Sequence, residues 1–346
     1  MDTFELITVR SVPEAIQAQT RALSASEAAA AEKAGSAAGA GAVRFIAGGT
    51  NLVDYMKLNV ERPRRLVDIN ALPLDKIEET ADGGLKIGAL ARNADVAVHA
   101  LVKARYPVLA QALLAGASPQ LRNMATTGGN LLQKTRCVYY RDTAANCNKR
   151  EPGSGCPAIG GHNRMLAILG TSEHCIATNP SDQNVALMAL EAIVHIEGPK
   201  GPKAIPIAQF YLLPGSTPQR ETLLAPGDLI THVTLPAPTA GVKGTYLKLR
   251  DRASYEFALA SAAVLLKQSG GAIDYVRVAM GGVGTKPWRS EEAEKMLLGK
   301  PPSAANFQAA AEAALRQAKP QSENAFKVEL AKRCLVHAMG QASQIV

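Results

Sequence analysis

Short apolar runs alternate with amphipathic stretches along most of the chain. Phe4-Glu5-Leu6-Ile7-Thr8-Val9 reads as a strand, and Ser11-Val12-Pro13-Glu14-Ala15 as a helix opening, because proline suits a first helical turn and glutamate follows it. Residues 43–57 predict a short apolar strand, a Gly-Gly turn and a helix-like run; residues 65–70 and 83–90 predict strands. A helix capped by Asn93 or a neighbour is expected over residues 91–102 and another over 106–117, then a glycine-rich loop over 117–133. Residues 184–198 read as helix then strand, followed by the runs 205–215 and 228–236. After the proline-rich hinge of residues 235–241, a separate module holds strands near 241–250, 255–267 and 273–284. Two long helices, from Ser290 and from Ala304 to the end, complete it. Residues 22–42, rich in alanine, glycine and serine, predict a helical extension decaying into a flexible connector.

One stretch breaks the pattern. Residues 134–180 have little periodicity yet carry four of the five cysteines, and a structureless loop of that length inside a compact domain has a special reason to exist. The sum is an α+β chain of two main domains, 1–237 with the 134–180 insertion and 238–346.

Composition narrows the function. Apolar residues make up 47% of the 346, enough for real cores, whereas aromatics at 4% are too sparse for a reader of nucleic acid by base stacking. The net charge of +8 comes without a basic block or DNA-binding motif, which points to an anionic ligand and to partner subunits. The first residues lack a basic-then-apolar leader, and nowhere do about 18 apolar residues run together. The expectation is a cytoplasmic chain by its own sequence, reaching the periplasm only if a partner carries it.

The chemistry lies in three glycine- and hydroxyl-rich motifs. Ile46-Ala47-Gly48-Gly49-Thr50-Asn51-Leu52 places paired glycines between a strand and a helix, where bare backbone can approach a phosphate and aim its N–H groups at it. Neither the dinucleotide fingerprint nor the P-loop is present, so a plain tight turn is the alternative. Ala125-Thr126-Thr127-Gly128-Gly129-Asn130 repeats the theme, and two such loops suggest a diphosphate gripped from two sides. Asn179-Pro180-Ser181-Asp182 precedes a helix and is either a helix cap or a third binding element. No metalloprotease, nucleophile-elbow or carboxylate–histidine constellation suggests acid–base catalysis, and no catalytic residue is expected.

Cys137, Cys147, Cys156 and Cys175 are spaced C-x9-C-x8-C-x18-C. Four thiolates suit zinc or an iron–sulfur cluster, and the lack of close Cys pairs fits a bulkier cubane better than a zinc knuckle. Six basic side chains (Lys134, Arg136, Arg141, Lys149, Arg150, Arg164) against Asp142 and Glu151 would offset a cluster's negative charge, unless they form a solvated basic loop. His162 and His174 share the loop, but a complete cysteine set leaves them no role as ligands. Cys334, at helical spacing in another segment, reads as a packing residue.

Taken in order, these motifs resemble the FAD-binding subunits of molybdenum hydroxylases. The set is the first Gly-Gly loop, Leu121-Arg122-Asn123 through Asn130, Pro180-Ser181-Asp182, Lys248 to Ala258, and Gly281-Gly282-Val283 with Lys286-Pro287-Trp288-Arg289. The resemblance runs nearly end to end. It is strongest to flavin subunits of bacterial periplasmic aldehyde oxidoreductases, which share Asn148-Lys149-Arg150 and Pro152-Gly153-Ser154-Gly155-Cys156. It implies an FAD-binding domain of the p-cresol methylhydroxylase/vanillyl-alcohol oxidase type, with two α/β subdomains, plus a C-terminal α+β domain. It also implies FAD held by Arg44, Phe45, Ile46, Ala47, Gly48, Gly49, Thr50, Asn51 and Leu52 and by Thr126, Gly129 and Asn130. Asp182 would take the ribose or adenine side, and Ile230 and Lys248 the isoalloxazine; read alone, Ile230 is equally a core residue and Lys248 a solvated one. The four clustered cysteines would bind [4Fe–4S]. The partners implied are a molybdenum-cofactor large subunit and a [2Fe–2S] small subunit, in an electron relay from substrate to an external acceptor. The rivals are a subunit of the 4-hydroxybenzoyl-CoA reductase type and a non-enzymatic protein with structural zinc.

Overall fold

A computed structural model describes residues 1–21 and 43–344; the connector expected over residues 22–42 lies outside the described residues. Strand β1 (Glu5–Thr8), helix α1 (Val12–Thr20), β2 (Val43–Ile46), α2 (Leu52–Lys57) and β3 (Arg65–Asp68) form the first unit. Ser11 caps α1 by accepting from Glu14 N, with proline in the first turn. The strands pair in parallel in the order β1-β3-β2, so all three end on one edge. From that edge β2 runs into the Gly48-Gly49 turn and α2.

The second unit is an antiparallel sheet, order β4-β5-β8-β6-β7, built from β4 (Ile77–Glu79), β5 (Leu85–Gly88), β6 (Ile193–Glu197), β7 (Lys203–Pro206) and β8 (Leu229–Leu235). The short strands β4 and β7 lie at its edges, where half-exposed residues leave little hydrophobic pattern to read. Helices α3 (Asn93–Val98), α4 (Ala100–Arg105) and α5 (Pro107–Ala115) follow β5. Asn93 opens α3 instead of capping it; Arg92 holds the cap position and makes no side-chain cap bond. The stretch 117–133, expected as a loop, contains α6 (Pro119–Met124) and α7 (Thr127–Leu131), capped by the hydroxyls of Ser118 and Thr126. The glycines of α7 are held helical by tertiary bonds, Thr127 N to Ala91 O and Gly128 N to Ala89 O. The cysteine-bearing segment has one four-residue helix, α8 (Val138–Arg141), and then leads to α9 (Asp182–Ala189) and, past β6 and β7, to α10 (Ile207–Phe210).

On β6 and β8 the rings of His195 and His232 stack at 4.1 Å. Burial first, then His195 and Lys86, push His232 down to about 4. A histidine whose folded value is depressed is protonated first in the unfolded chain, so its contribution to stability falls as pH drops from the ordinary 6.5 to about 4. His232→Gln is expected to flatten that slope; equal losses of urea midpoint between pH 7 and pH 5 in both proteins would refute it.

The third sheet, order β12-β11-β10-β9, comprises β9 (Lys243–Leu249), β10 (Ala260–Ser269), β11 (Ala272–Gly281) and β12 (Trp288–Arg289). Its alternation serves two cores at once. Ala263, Leu265 and Ala279 face the core shared with α5 and α9, while Ala262, Val264, Leu266, Val278 and Met280 face the C-terminal helices. Those helices are α11 (Glu291–Leu297), α12 (Ala304–Leu315) and α13 (Phe326–Ser343). The single helix expected from Ala304 is therefore two, interrupted around Lys319-Pro320, and the helix from Ser290 is only seven residues long. Buried Lys327 on α13 donates to the carbonyls of Met165 (3.2 Å), Leu166 (2.9 Å) and Gly282 (2.5 Å), tying the cysteine segment to the C-terminal unit. Burial, then Arg164, push this ammonium down to about 7. Among the described residues no helix is long and apolar enough to cross a membrane.

Candidate flavin and metal site

Where the first two units meet, the Gly48-Gly49 loop packs against the end of α6. Gly49 has φ +71°, a left-handed conformation that glycine adopts without strain. Gly48 is needed for contact: a Cβ there would stand 1.8 Å from the Met124 carbonyl oxygen. Arg92 fixes that carbonyl through Nη1 at 2.5 Å and reaches Asn70 Oδ1 at 3.1 Å, while Asn70 Nδ2 donates to Ala47 O at 3.0 Å. Arg92 and Asn70 thus clamp one glycine loop to the other. Their role was not visible in the sequence, because neither belongs to a motif and their partners lie in other segments.

Asn51 stands at the α2 cap position without capping it; its Oδ1 accepts from Lys134 N at 2.8 Å. Its Nδ2 is buried without a partner, a donor that a bound anion would satisfy. In the second loop Thr126 Oγ1 accepts from Gly129 N at 3.1 Å, and Asn130 Oδ1 accepts from Ser181 Oγ at 2.6 Å. Ser181 also caps α9, so the third motif is both a cap and a strut beneath the second loop.

A cavity of about 1380 Å³ opens between these parts. All fifteen residues expected at the flavin line it: Arg44 to Leu52, Thr126, Gly129, Asn130, Asp182, Ile230 and Lys248. Their arrangement differs from the expectation in one respect. Lys248 Nζ lies 2.8 Å from Asp182 Oδ2 and 3.1 Å from Ala115 O, and Tyr246 donates to Asp182 Oδ1. Asp182 and Lys248 therefore face one part of the cavity together, not the ribose and the isoalloxazine ends separately. Arg44 pairs with Glu61 at 3.5 Å.

The cysteine segment walls the same cavity. Cys137, Cys147 and Cys175 are buried and Cys156 is partly buried in one apolar cluster with Tyr55, Tyr140, Leu166 and Ile176. Burial pushes the Cys137 thiol up to about 11, with the Tyr140 and Tyr139 amides opposing. Burial likewise raises Cys156, against the amides of Ile159, Ala158 and Ile176. It raises Cys175 too, against the Lys149 charge and the Ala177 N–H at 3.4 Å from its sulfur. Amides directed at sulfur suit thiolates that carry negative charge. Among the described residues, no three His, Cys, Asp or Glu side chains converge where one ion could sit. A tetrahedral zinc needs its sulfurs roughly 3.8 Å apart; a cubane sets an iron between each thiolate and its centre and takes a wider shell. His162 is 81% exposed beside Glu323, and His174 is exposed. Cys334 is buried on α13 in another core.

Glu221 joins the two halves of the site, bound by Lys134 and, at 3.0 Å, by Lys149. Burial alone would raise its carboxyl; the two ammonium groups overrule it and hold it at about 2.

Two facing glycine loops, a long cavity and an apposed C-terminal sheet suit a flavin-binding subunit, and the similarity to known proteins shows the family. Residues 15–238 match the FAD binding domain in molybdopterin dehydrogenase, and residues 245–342 match the CO dehydrogenase flavoprotein C-terminal domain. The chain belongs to the FAD-binding medium subunits of the molybdenum hydroxylase family and is an oxidoreductase subunit with an electron-transfer role. It is 53% identical to the aldehyde oxidoreductase FAD-binding subunit PaoB of Escherichia coli K12 over 300 residues, 86% of this chain and 91% of that one. It is 27% identical to the carbon monoxide dehydrogenase medium chain of Hydrogenophaga pseudoflava over 303 residues, 86% and 88% of the two chains. The solved structure of carbon monoxide dehydrogenase from that organism superposes with a TM-score of 0.74 at 28% identity, covering 99% of this chain and 98% of that one. The expected fold class, an FAD-binding domain with a C-terminal α+β domain, holds.

Proposed function

We propose that this chain is the flavin subunit of an aldehyde-oxidising complex, relaying electrons from a molybdenum-cofactor large subunit through a [2Fe–2S] small subunit to FAD and an external acceptor. The observation that carries the reading is that every flavin position expected from sequence lines one cavity, and that Cys175 lines it too. The substrate class rests on the 53% identity to an aldehyde oxidoreductase subunit. The division into 1–237 and 238–346 is supported by the two family matches, which meet between residues 238 and 245.

FAD, when bound, supplies exchange between one-electron and two-electron carriers. The chain's own part is to bind and orient. The backbone of Gly48 and Gly49, Asn51 Nδ2 and the Thr126–Asn130 loop hold the diphosphate. Asp182 and Lys248, neutralising one another, offer an acceptor and a donor to one polar portion of the cofactor, and Ile230 supplies apolar wall. Cys137, Cys147, Cys156 and Cys175 hold a [4Fe–4S] cluster against the cavity wall.

The test combines spectrum, metal analysis and assay. The purified chain is expected to absorb as a flavin with an added iron–sulfur shoulder and to contain about four irons. Cys147→Ser loses the iron and Cys334→Ser keeps it. The chain alone oxidises no aldehyde with an artificial acceptor. Zinc in place of iron, equal iron in both variants, or aldehyde turnover without molybdenum would each overturn the corresponding part.

A further inference from the structure

We propose that Lys149 sets the reduction potential of the metal group in the cysteine nest, and that Glu221 trims its effect; the inference rests on the cluster reading above. Lys149 stands two residues past Cys147, between the second and third cysteines. Its side chain is 8% exposed, with Nζ 2.8 Å from Pro218 O and 3.0 Å from Glu221 Oε1. Of the segment's five other cations, Lys134 shares Glu221 with Lys149, Arg136 bonds Gln133 Oε1 and Lys134 O, and three are engaged elsewhere. Arg141 pairs with Asp54, Arg164 with Asp251, and Arg150 turns its guanidinium to the carbonyls of Tyr139, Tyr140 and Ala145. Lys149 itself is fixed at the nest, two residues from Cys147, with its ammonium anchored by Pro218 O and Glu221 Oε1. Lys149 and Cys175 both line the cavity proposed for the flavin.

Adding one electron to a cluster adds one negative charge. In a poorly screened interior a fixed ammonium nearby stabilises the reduced form, and a fixed carboxylate destabilises it. Lys149 and Glu221 therefore act with opposite signs, although they are bonded to each other, the one with a buried and the other with a part-buried side chain. A purely structural pair could not do this, because loosening the nest from either end would move the potential one way.

The test is a redox titration of the purified iron-loaded chain, following the reduced cluster by electron paramagnetic resonance. Lys149→Gln is expected to lower the midpoint by about a tenfold change in the one-electron equilibrium, about 59 mV. Glu221→Gln should raise it, and Lys149→Arg should stay close to the parent. Shifts of the same sign, or none, overturn the proposal. Should Lys149→Gln fail to hold iron, the sign of the Glu221→Gln shift decides by itself. An iron-free parent protein sinks the cluster reading and this inference with it, whereas iron present with unmoved midpoints sinks this inference alone.

Discussion

Gly48→Ala is expected to empty the flavin cavity, and to do so more completely than Gly49→Ala. The two glycines are adjacent but needed for different reasons. At Gly48 a single methyl would overlap main chain, 1.8 Å from Met124 O and 2.6 Å from Met124 C, with Arg92 Nη1 at 3.2 Å behind them. That carbonyl cannot retreat cheaply, because Arg92 holds it and the second glycine loop begins two residues later. The overlap is relieved only by parting the two glycine loops proposed to hold the diphosphate. At Gly49 the nearest atom to a new Cβ is a flexible methyl of Val53 at 3.2 Å, and the penalty is the left-handed backbone, roughly 1–2 kcal/mol. Flavin per chain, read from the absorption spectrum after gel filtration, should be near zero for Gly48→Ala and partial for Gly49→Ala. Full flavin in Gly48→Ala would remove the loop contact from the account. The sequence leads to the expectation that both glycines meet a phosphate but does not rank them, since the ranking depends on Met124, far along the chain.

The same limit governs what else was legible. Strands β1, β2, β3, β5 and β8 announce themselves because each carries an apolar run bounded by turn residues, and α1 and α5 because proline marks their starts. Gly128 and Gly129 argue locally for a loop at α7, and the bonds from Thr127 N and Gly128 N to Ala91 O and Ala89 O, just past β5, decide otherwise. The residues of the site were legible through motif order, whereas their pairing was not. Nothing near Asp182 predicts that Lys248 and Tyr246 close on it from strand β9 of the third sheet. Glu221, the most deeply engaged carboxylate of the site, sits in an unpatterned stretch and was missed outright. Sequence periodicity reports which face is buried; it does not report what charge waits there.

Tyr55→Ala is expected to strip flavin and iron together. Tyr55 lies on α2, directly after the first glycine loop, and is fully buried in the cluster that contains the cysteines. Its ring meets Tyr140 edge-on at 5.4 Å and its hydroxyl donates to the Thr135 carbonyl, just before Cys137. Arg141 lies 5.2 Å over the ring and grips Asp54 with two bonds of 2.6 and 3.2 Å. The phosphate-loop helix and the first arm of the nest are therefore one packed body. Truncation to alanine opens a cavity there at a cost of about 3–5 kcal/mol. The loss falls on both sites because the ring supports both. Tyr55→Phe keeps the packing and forfeits only the bond to Thr135, a milder loss of about 1–3 kcal/mol, and should retain both groups. Flavin and iron per chain, measured on one preparation of each variant, are the readout. If Tyr55→Ala loses one group and keeps a full complement of the other, the flavin loop and the cysteine nest are independent structures that happen to share a wall.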